Sequence, residues 1–223
     1  MFTRKVILTT LLLGLSLTVF AQKSVTDFQT WYDAAVKLNL KKGWKLSSRF
    51  RVRLNENSSN YRGSYLFLEG EKRVNKYIRV LANYRLAWVE GNQYHRFLIG
   101  TNAQFKTNGF TFFTRPMIQY QKEYFINDES SNNDSESFLR LRSGLRYKIN
   151  KHWETYAYAE PFFKIKSGKP LSTSFWQNSV GLTYEYNKNK YATIYYIWQP
   201  EVNKKYPDTN QILGLSLEFE IKP

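Results

Sequence analysis

Arginine recurs at every second position in one stretch of the chain. Arg49, Arg51 and Arg53 alternate with Phe50 and Val52. Because successive side chains of a β-strand point to opposite faces, this spacing predicts a strand with one charged face and one apolar face. A row of guanidinium groups can pair with carboxylates on a neighbouring strand, or attract anions through its planar sets of donors. The spacing therefore predicts charge chemistry on one side of a sheet.

Carboxylates with the same alternation are placed to meet these arginines. Applied along the chain, the alternation assigns the following charged ladder to the inner face: Arg49, Arg51, Arg53, Glu69, Glu71, Arg85, Arg140, Arg142, Arg146, Glu154 and Glu160. A hairpin turning near position 59 is predicted to bring the arginines at 49–51 beside Glu69 and Glu71. A hairpin turning near position 150 is predicted to place Arg146 opposite Glu154. The same hairpin would place Arg140 opposite Glu160, and opposite charges across a sheet stabilise each other.

The residue types that most enzyme and metal sites require are scarce. The chain has two histidines, His95 and His152, and no cysteine. His95 has the parity of the apolar face and His152 stands in a predicted turn, so local sequence pairs neither with a serine as a hydrolytic site requires. Closely spaced histidines or cysteines, which zinc sites use, do not occur. We therefore expect no catalytic residue, no metal site and no cofactor.

The elements that must position the ladder are strands. Alternation recurs in about eleven segments, most of them close to the length that a tilted strand needs to cross a membrane. Short turns such as Asn108-Gly109 alternate with mostly longer polar loops, as in outer-membrane barrels. Bacterial single-chain barrels have an even strand number, and Val25–Trp31 offers a further strand. We predict an all-β fold, an antiparallel up-and-down transmembrane β-barrel of ten to twelve strands, twelve favoured, with a polar lumen and a lipid-facing apolar exterior.

Tryptophans give an independent indication of a membrane. Those with the parity of the apolar face all lie near a predicted strand end: Trp44, Trp88, Trp153, Trp176 and Trp198. Aromatic girdles at the two membrane interfaces have this placement, whereas a soluble core favours tryptophan near strand centres. We predict that these five residues form such girdles.

The N-terminus predicts export. Arg4 and Lys5 precede an apolar run, and Val19-Phe20-Ala21 forms a signal-peptidase site, so residues 1–21 are predicted to be a cleaved signal peptide and residues 22–223 a single barrel domain. Export of a barrel implies that the protein lies in the Gram-negative outer membrane.

The expected partners of the barrel are outer-membrane lipid, lipopolysaccharide and the barrel-insertion machinery. The barrel itself is expected to be a monomer. A net charge of +15 could suit a nucleic-acid-binding protein. The basic residues are spread through every segment and do not form one patch, and this argues against nucleic acid as a partner.

The sequence leaves the role of the lumen open. The charge pairs can fill and lock a closed structural barrel, line a narrow and weakly anion-favouring pore, or bind one anionic solute. Two rival interpretations stand beside this non-enzymatic barrel. One is an exported soluble β-barrel or sandwich that acts as a binding protein, and the other is a lipid-modifying enzyme of the outer leaflet.

Several short patterns resemble a known family. They are Trp31-Tyr32, Lys42-Gly43-Trp44, Arg49-Phe50-Arg51-Val52-Arg53, Leu139-Arg140-Leu141-Arg142-Ser143-Gly144-Leu145, Ala159-Glu160-Pro161-Phe162-Phe163 and Tyr195-Tyr196-Ile197-Trp198-Gln199. With these patterns the chain resembles the small outer-membrane β-barrels of Gram-negative bacteria that are catalogued as a domain of unknown function. The resemblance implies a barrel and an outer-membrane location, and it brings no catalytic residue.

Overall fold

Eleven strands form a closed barrel in the computed structural model, which describes residues 25–124 and 135–222. Each strand pairs with its neighbours in sequence, and the first pairs with the last. The strands are β1 (Thr26–Asn39), β2 (Trp44–Asn55), β3 (Asn60–Arg73), β4 (Ile78–Val89), β5 (Asn92–Thr107), β6 (Phe110–Tyr124), β7 (Ser135–Lys148), β8 (Trp153–Ile165), β9 (Ser172–Asn187), β10 (Lys190–Pro200) and β11 (Thr209–Ile221). The predicted signal peptide lies outside the described residues.

The barrel closes through a parallel pair, which corrects the twelve strands favoured by the sequence. Strand β1 runs parallel to β11 from Thr26 opposite Thr209 to Leu38 opposite Ile221, and all other pairs are antiparallel. The expected extra strand does not form, because Thr26–Trp31 continues directly into the rest of β1. Parallel pairing removes both sheet edges while allowing an odd strand number.

The connections differ between the two ends of the barrel. At the short-turn end, Asn108 and Gly109 both adopt positive φ, as a two-residue hairpin requires. At the same end Asn75 and Asn150 make matching turns, in which each side-chain oxygen accepts two backbone N–H groups. The opposite, long-loop end carries residues 56–59, 90–91, 166–171 and 201–208. Strand β1 begins at the long-loop end and β11 finishes at the short-turn end.

The two faces of the barrel wall have opposite chemistry. On β2, Phe50 is 45% exposed whereas its neighbour Arg51 is 9% exposed. The same contrast continues around the barrel, with large apolar side chains on the exposed exterior and charged side chains on the buried interior. Contacts between strands that are not neighbours show that the buried face lines the lumen, since Tyr195 on β10 reaches Asp33 on β1. Among the described residues, no helix is long and apolar enough to cross a membrane.

An apolar cluster fills part of the lumen. Trp31, Tyr195, Ile197 and Ile212 are buried together inside the β1, β10 and β11 wall. The ring of Tyr195 lies flat over Gly214, where an added Cβ would stand 2.0 Å from the ring. Glycine at this position is what lets the tyrosine cross above β11 toward Asp33.

Candidate functional site in the barrel lumen

One side of the lumen holds a buried pair between β1 and β2. Arg51 donates two hydrogen bonds to Asp33, from Nε to Oδ1 at 2.6 Å and from a terminal nitrogen to Oδ2 at 2.9 Å. The Tyr195 hydroxyl donates a third hydrogen bond to Asp33 Oδ2 at 2.9 Å. The carboxylate therefore accepts three hydrogen bonds, two of them from the planar fork of one arginine, which is the strong geometry for a charge pair.

A second buried network joins β7 to β8. Glu160 is 0% exposed, and its two oxygens each accept from a different arginine, Arg140 at 2.7 Å and Arg142 at 2.7 Å. Arg140 also donates to Gln119 on β6 at 2.8 Å. The Asp33–Arg51–Tyr195 and Arg140–Glu160–Arg142 networks together are called the paired side of the lumen below.

The predicted partners of Glu160 were correct in part, although the strand register differs. Arg140 lies opposite Phe162 and reaches Glu160 diagonally. Arg146 lies opposite Tyr156, and Glu154 lies opposite Lys148, so the predicted Arg146–Glu154 opposition is wrong by two residues. The turn between β7 and β8 occupies four residues, 149–152, and this length sets the register.

The predicted pairing between β2 and β3 is also wrong by two residues. Arg49 lies opposite Phe67 and Arg51 opposite Tyr65, whereas Glu69 and Glu71 lie opposite Ser47 and Lys45. Glu71 instead pairs with Arg79 on β4 at 2.8 Å. Residues 56–58 all adopt positive φ in the turn, and the main register of the hairpin is centred on position 58, one residue before the predicted centre. A one-residue register shift also occurs between Arg53 and Leu54.

Three lumenal arginines differ from those of the paired side. The guanidinium groups of Arg53, Arg85 and Arg96, called the arginine cluster below, have no carboxylate within ion-pair distance among the side chains that the structure describes. Arg85 and Arg96 lie directly opposite each other on β4 and β5. Besides its burial, the largest influence on Arg85 is the positive charge of Arg53, and the charges of Arg140 and Arg51 also act on it. The cluster therefore concentrates positive charge near the long-loop end.

Aromatic faces and neutral amides hold the arginine cluster in place. The Cζ of Arg53 lies 3.9 Å from the Trp31 ring centroid and 4.0 Å from that of Tyr65. Arg85 lies 5.6 Å from the Tyr65 ring and Arg96 5.6 Å from the Phe67 ring. Cation–π contact attracts the cations without cancelling their charge.

Neutral side-chain amides also hold two of these arginines without cancelling their charge. Arg85 donates to Gln121 Oε1 at 2.7 Å, and Arg96 donates to Asn83 Oδ1 at 3.3 Å. Both acceptors are neutral, so these hydrogen bonds orient the guanidinium groups but leave their charge uncompensated.

The remaining members of the predicted ladder form none of the ion pairs or ring contacts that define these two groups. Arg146 approaches the Phe113 ring at 5.1 Å, and Arg49 and Glu154 are half-buried on the inner parity of their strands. The charge of Glu69 on β3 acts on Arg115 on β6, across the lumen. The structure thus divides the predicted ladder into paired, clustered and separate residues.

Sequence reasoning missed several residues of both lumenal groups. Asp33 and Tyr195 belong to the paired side, and Arg96, Trp31 and Tyr65 complete the arginine cluster. The alternation does indicate Arg96, because His95 has the parity of the exterior face and the side chain that follows it must then point into the lumen. Nothing local indicated the Asp33–Tyr195 contact, whose residues are 162 positions apart.

The five predicted girdle tryptophans are all on the exposed exterior face. Trp44 and Trp153 begin their strands at the short-turn end. Trp88, Trp176 and Trp198 lie toward the long-loop end of β4, β9 and β10. The structure thus places two tryptophans near one end of the barrel and three near the other.

The histidines and acidic residues that the structure describes form no group suited to metal. The Nδ1 atom of His95 lies 2.7 Å from the Tyr84 hydroxyl, and His152 follows the Asn150 turn. Within the described part of the chain, no group of three or more histidine, cysteine, aspartate or glutamate residues could hold a metal ion.

Comparison with known proteins identifies the family of the chain. A family model described as "Protein of unknown function (DUF2490)" matches residues 28–210, and the chain belongs to this family. The matched range runs from β1 to the start of β11 and so includes both the paired side and the arginine cluster. A search of curated proteins found no match.

Proposed function

We propose that this family member is a non-enzymatic outer-membrane β-barrel that forms a narrow, weakly anion-favouring pore. The observation that supports a membrane location is the exposed apolar exterior. Large side chains such as Phe97 and Ile99 on β5, Ile194 on β10 and Leu217 on β11 are exposed. Soluble monomers rarely expose continuous apolar surface on this scale, whereas a barrel in lipid must.

The exterior also carries the features expected of a membrane interface. The exposed tryptophans lie toward the two ends of the barrel, and exposed aliphatic residues such as Ile99 and Ile194 lie near the middle of their strands. The predicted signal peptide supports export to the outer membrane, where closed barrels leave no backbone group unpaired in lipid. Lipid and lipopolysaccharide are then the molecules that surround the protein.

The excess of positive charge in the lumen supports the anion preference. The carboxylates of the paired side are consumed by Arg51, Arg140 and Arg142. The arginine cluster adds positive charge with no carboxylate within ion-pair distance among the described side chains, and rings of arginine favour anions in pores. The lumen is narrowed by the buried networks and by the Trp31 cluster, so only small ions would pass.

Planar-bilayer recording tests this function directly. Purified protein should give small currents whose reversal potential in a potassium chloride gradient shows a preference for chloride. Replacing Arg53 with glutamate should shift that potential toward cation preference, because Arg53 pairs with no described carboxylate. Currents that ignore this substitution would contradict the proposed role of the lumenal charge.

A closed structural barrel is a second candidate function. Its support is the complete burial of Glu160 and the apolar cluster around Trp31, which each fill part of the lumen. Folded protein that stays silent in the bilayer would favour this candidate over the pore.

A further inference from the structure

The arginine cluster carries more charge than its surroundings explain. Arg85 is buried, and its Nε–H group, like those of Arg53 and Arg96, has no acceptor in the described structure. Burying a guanidinium without a counter-charge is costly. Like charges directly opposite each other in a sheet, as Arg85 and Arg96 are, add a further cost. An anion between them would offset both costs.

Another pair of opposed arginines in the barrel differs in its carboxylate partners. Arg115 on β6 lies directly opposite Arg142 on β7. There Arg142 is bound by Glu160, and the charges of Glu69 and Glu71 act on Arg115. Arg142 thus has a directly bonded carboxylate, whereas neither Arg85 nor Arg96 has a carboxylate within ion-pair distance among the described side chains. The charge of Glu160 acts on Arg96 only from beyond that distance.

The arginine cluster is also pre-organised. Arg53 is held between the rings of Trp31 and Tyr65, and Arg85 shares the Tyr65 ring with it. Gln121 and Asn83 orient Arg85 and Arg96. Side chains already fixed in this way lose less entropy when they bind a ligand than free arginines would.

We propose that Arg53, Arg85 and Arg96 form a binding site for a multiply charged oxyanion, namely a phosphate group. This site deepens the proposed anion-favouring function and rests on the lumen being reachable from the long-loop end. Several planar forks match the oxygens of a phosphate, either as the free ion or as a small phosphate ester. The cluster lies toward the long-loop end, since Arg53 stands two residues before the end of β2 and Arg96 four residues after the start of β5.

Equilibrium binding of radiolabelled inorganic phosphate to the detergent-purified barrel tests the site. Chloride at matched ionic strength should not compete, whereas glycerol 3-phosphate should compete if esters are accepted and should fail to compete if the site takes free phosphate alone. Arg53→Gln, Arg85→Gln and Arg96→Gln should each weaken phosphate binding by about tenfold or more, since each removes charged hydrogen bonds. Circular dichroism and heat-modifiable migration would show that each variant is folded.

Arg146→Gln provides the matched control. Arg146 is also a half-buried lumenal arginine beside an aromatic ring, Phe113, but it lies toward the short-turn end and outside the arginine cluster. Its substitution removes the same charge and should leave phosphate affinity within about twofold. If Arg146→Gln and Arg85→Gln lose phosphate affinity equally, the loss follows from net charge alone, and the proposed site is overturned. Absence of phosphate binding to the wild type would do the same.

The outcomes separate the site from the pore. Phosphate binding without bilayer current would contradict the pore and support the site. Chloride-preferring current without cluster-dependent phosphate binding would contradict the site and support the pore.

Discussion

The paired side of the lumen and the arginine cluster place the same residue type in opposite situations. On the paired side, Arg51, Arg140 and Arg142 each reach a buried carboxylate. In the cluster, Arg53, Arg85 and Arg96 contact aromatic rings, and Arg85 and Arg96 also donate to neutral amides, but none has a described carboxylate within ion-pair distance. The first arrangement locks neighbouring strands together, whereas the second keeps positive charge available to an anion.

This comparison makes stability and anion binding separable. Breaking a buried pair leaves an uncompensated charge and costs far more than removing a charge that has no partner. Substitutions on the paired side should therefore lower the free energy of unfolding. Substitutions in the arginine cluster should instead weaken anion binding.

The largest effect is expected at Glu160. Glu160→Gln would leave Arg140 and Arg142 buried without a counter-charge, so the free energy of unfolding should fall by about 3–5 kcal/mol. Urea unfolding followed by tryptophan fluorescence in detergent micelles measures this loss. Glu154→Gln, a half-buried lumenal substitution with no described ion pair, is the control and should change stability by about 0.5 kcal/mol or less. Equal losses in the two variants would contradict the special role of the Glu160 network.

A smaller loss is expected from Tyr195→Phe. This change removes the hydroxyl that donates to Asp33 but leaves the Arg51–Asp33 pair intact, so it should cost about 1.5–3 kcal/mol. The same unfolding experiment measures it. A wild-type urea midpoint in this variant would show that the phenol contributes nothing to the paired side.

Disturbing the packing beneath the Tyr195 ring should lower the free energy of unfolding by as much as Tyr195→Phe or less. Gly214→Ala would force a Cβ into the Tyr195 ring and tilt it away from Asp33, costing about 1–3 kcal/mol. Gly70→Ala is the matched control on β3, because its Cβ would meet Leu46 at 3.6 Å, an ordinary contact distance. If both glycines tolerate alanine equally, the flat packing of Tyr195 does not restrict this position.

The smallest effect on stability is expected in the arginine cluster. Arg85→Gln removes a buried cation that faces other arginines, so without added anion its unfolding free energy should stay within about 1 kcal/mol of the wild type. A loss as large as that of Glu160→Gln would mean that Arg85 is a structural residue, and the contrast between the two groups would disappear.

Alternation was sufficient to predict the barrel and the inward position of Arg51, Arg85 and Arg140, because strand parity is a local property. The Asn108-Gly109 dipeptide predicted its hairpin in the same local way, because both residues tolerate the positive φ that the turn requires.

Register and closure could not be predicted in the same way. The opposition of Arg146 to Tyr156 depends on a turn length that the sequence leaves open. The parallel β1–β11 pair and the Tyr195–Asp33 contact join distant parts of the chain, so no local pattern encodes them. The division of the arginines into paired and clustered groups follows from this long-range geometry.

Spin-label accessibility along β5 tests most directly whether lipid covers the apolar exterior. The chain has no cysteine, so Phe97→Cys, Leu98→Cys and Ile99→Cys each give one labelled site in protein reconstituted into phospholipid vesicles. Phe97 is exposed, Ile99 is 64% exposed, and Leu98 between them is buried in the lumen. Labels at 97 and 99 should collide with oxygen, which dissolves in hydrocarbon, more than with a water-soluble nickel complex, and the label at 98 should not. Greater access of the nickel complex at 97 and 99 would place the apolar face in water and contradict the account.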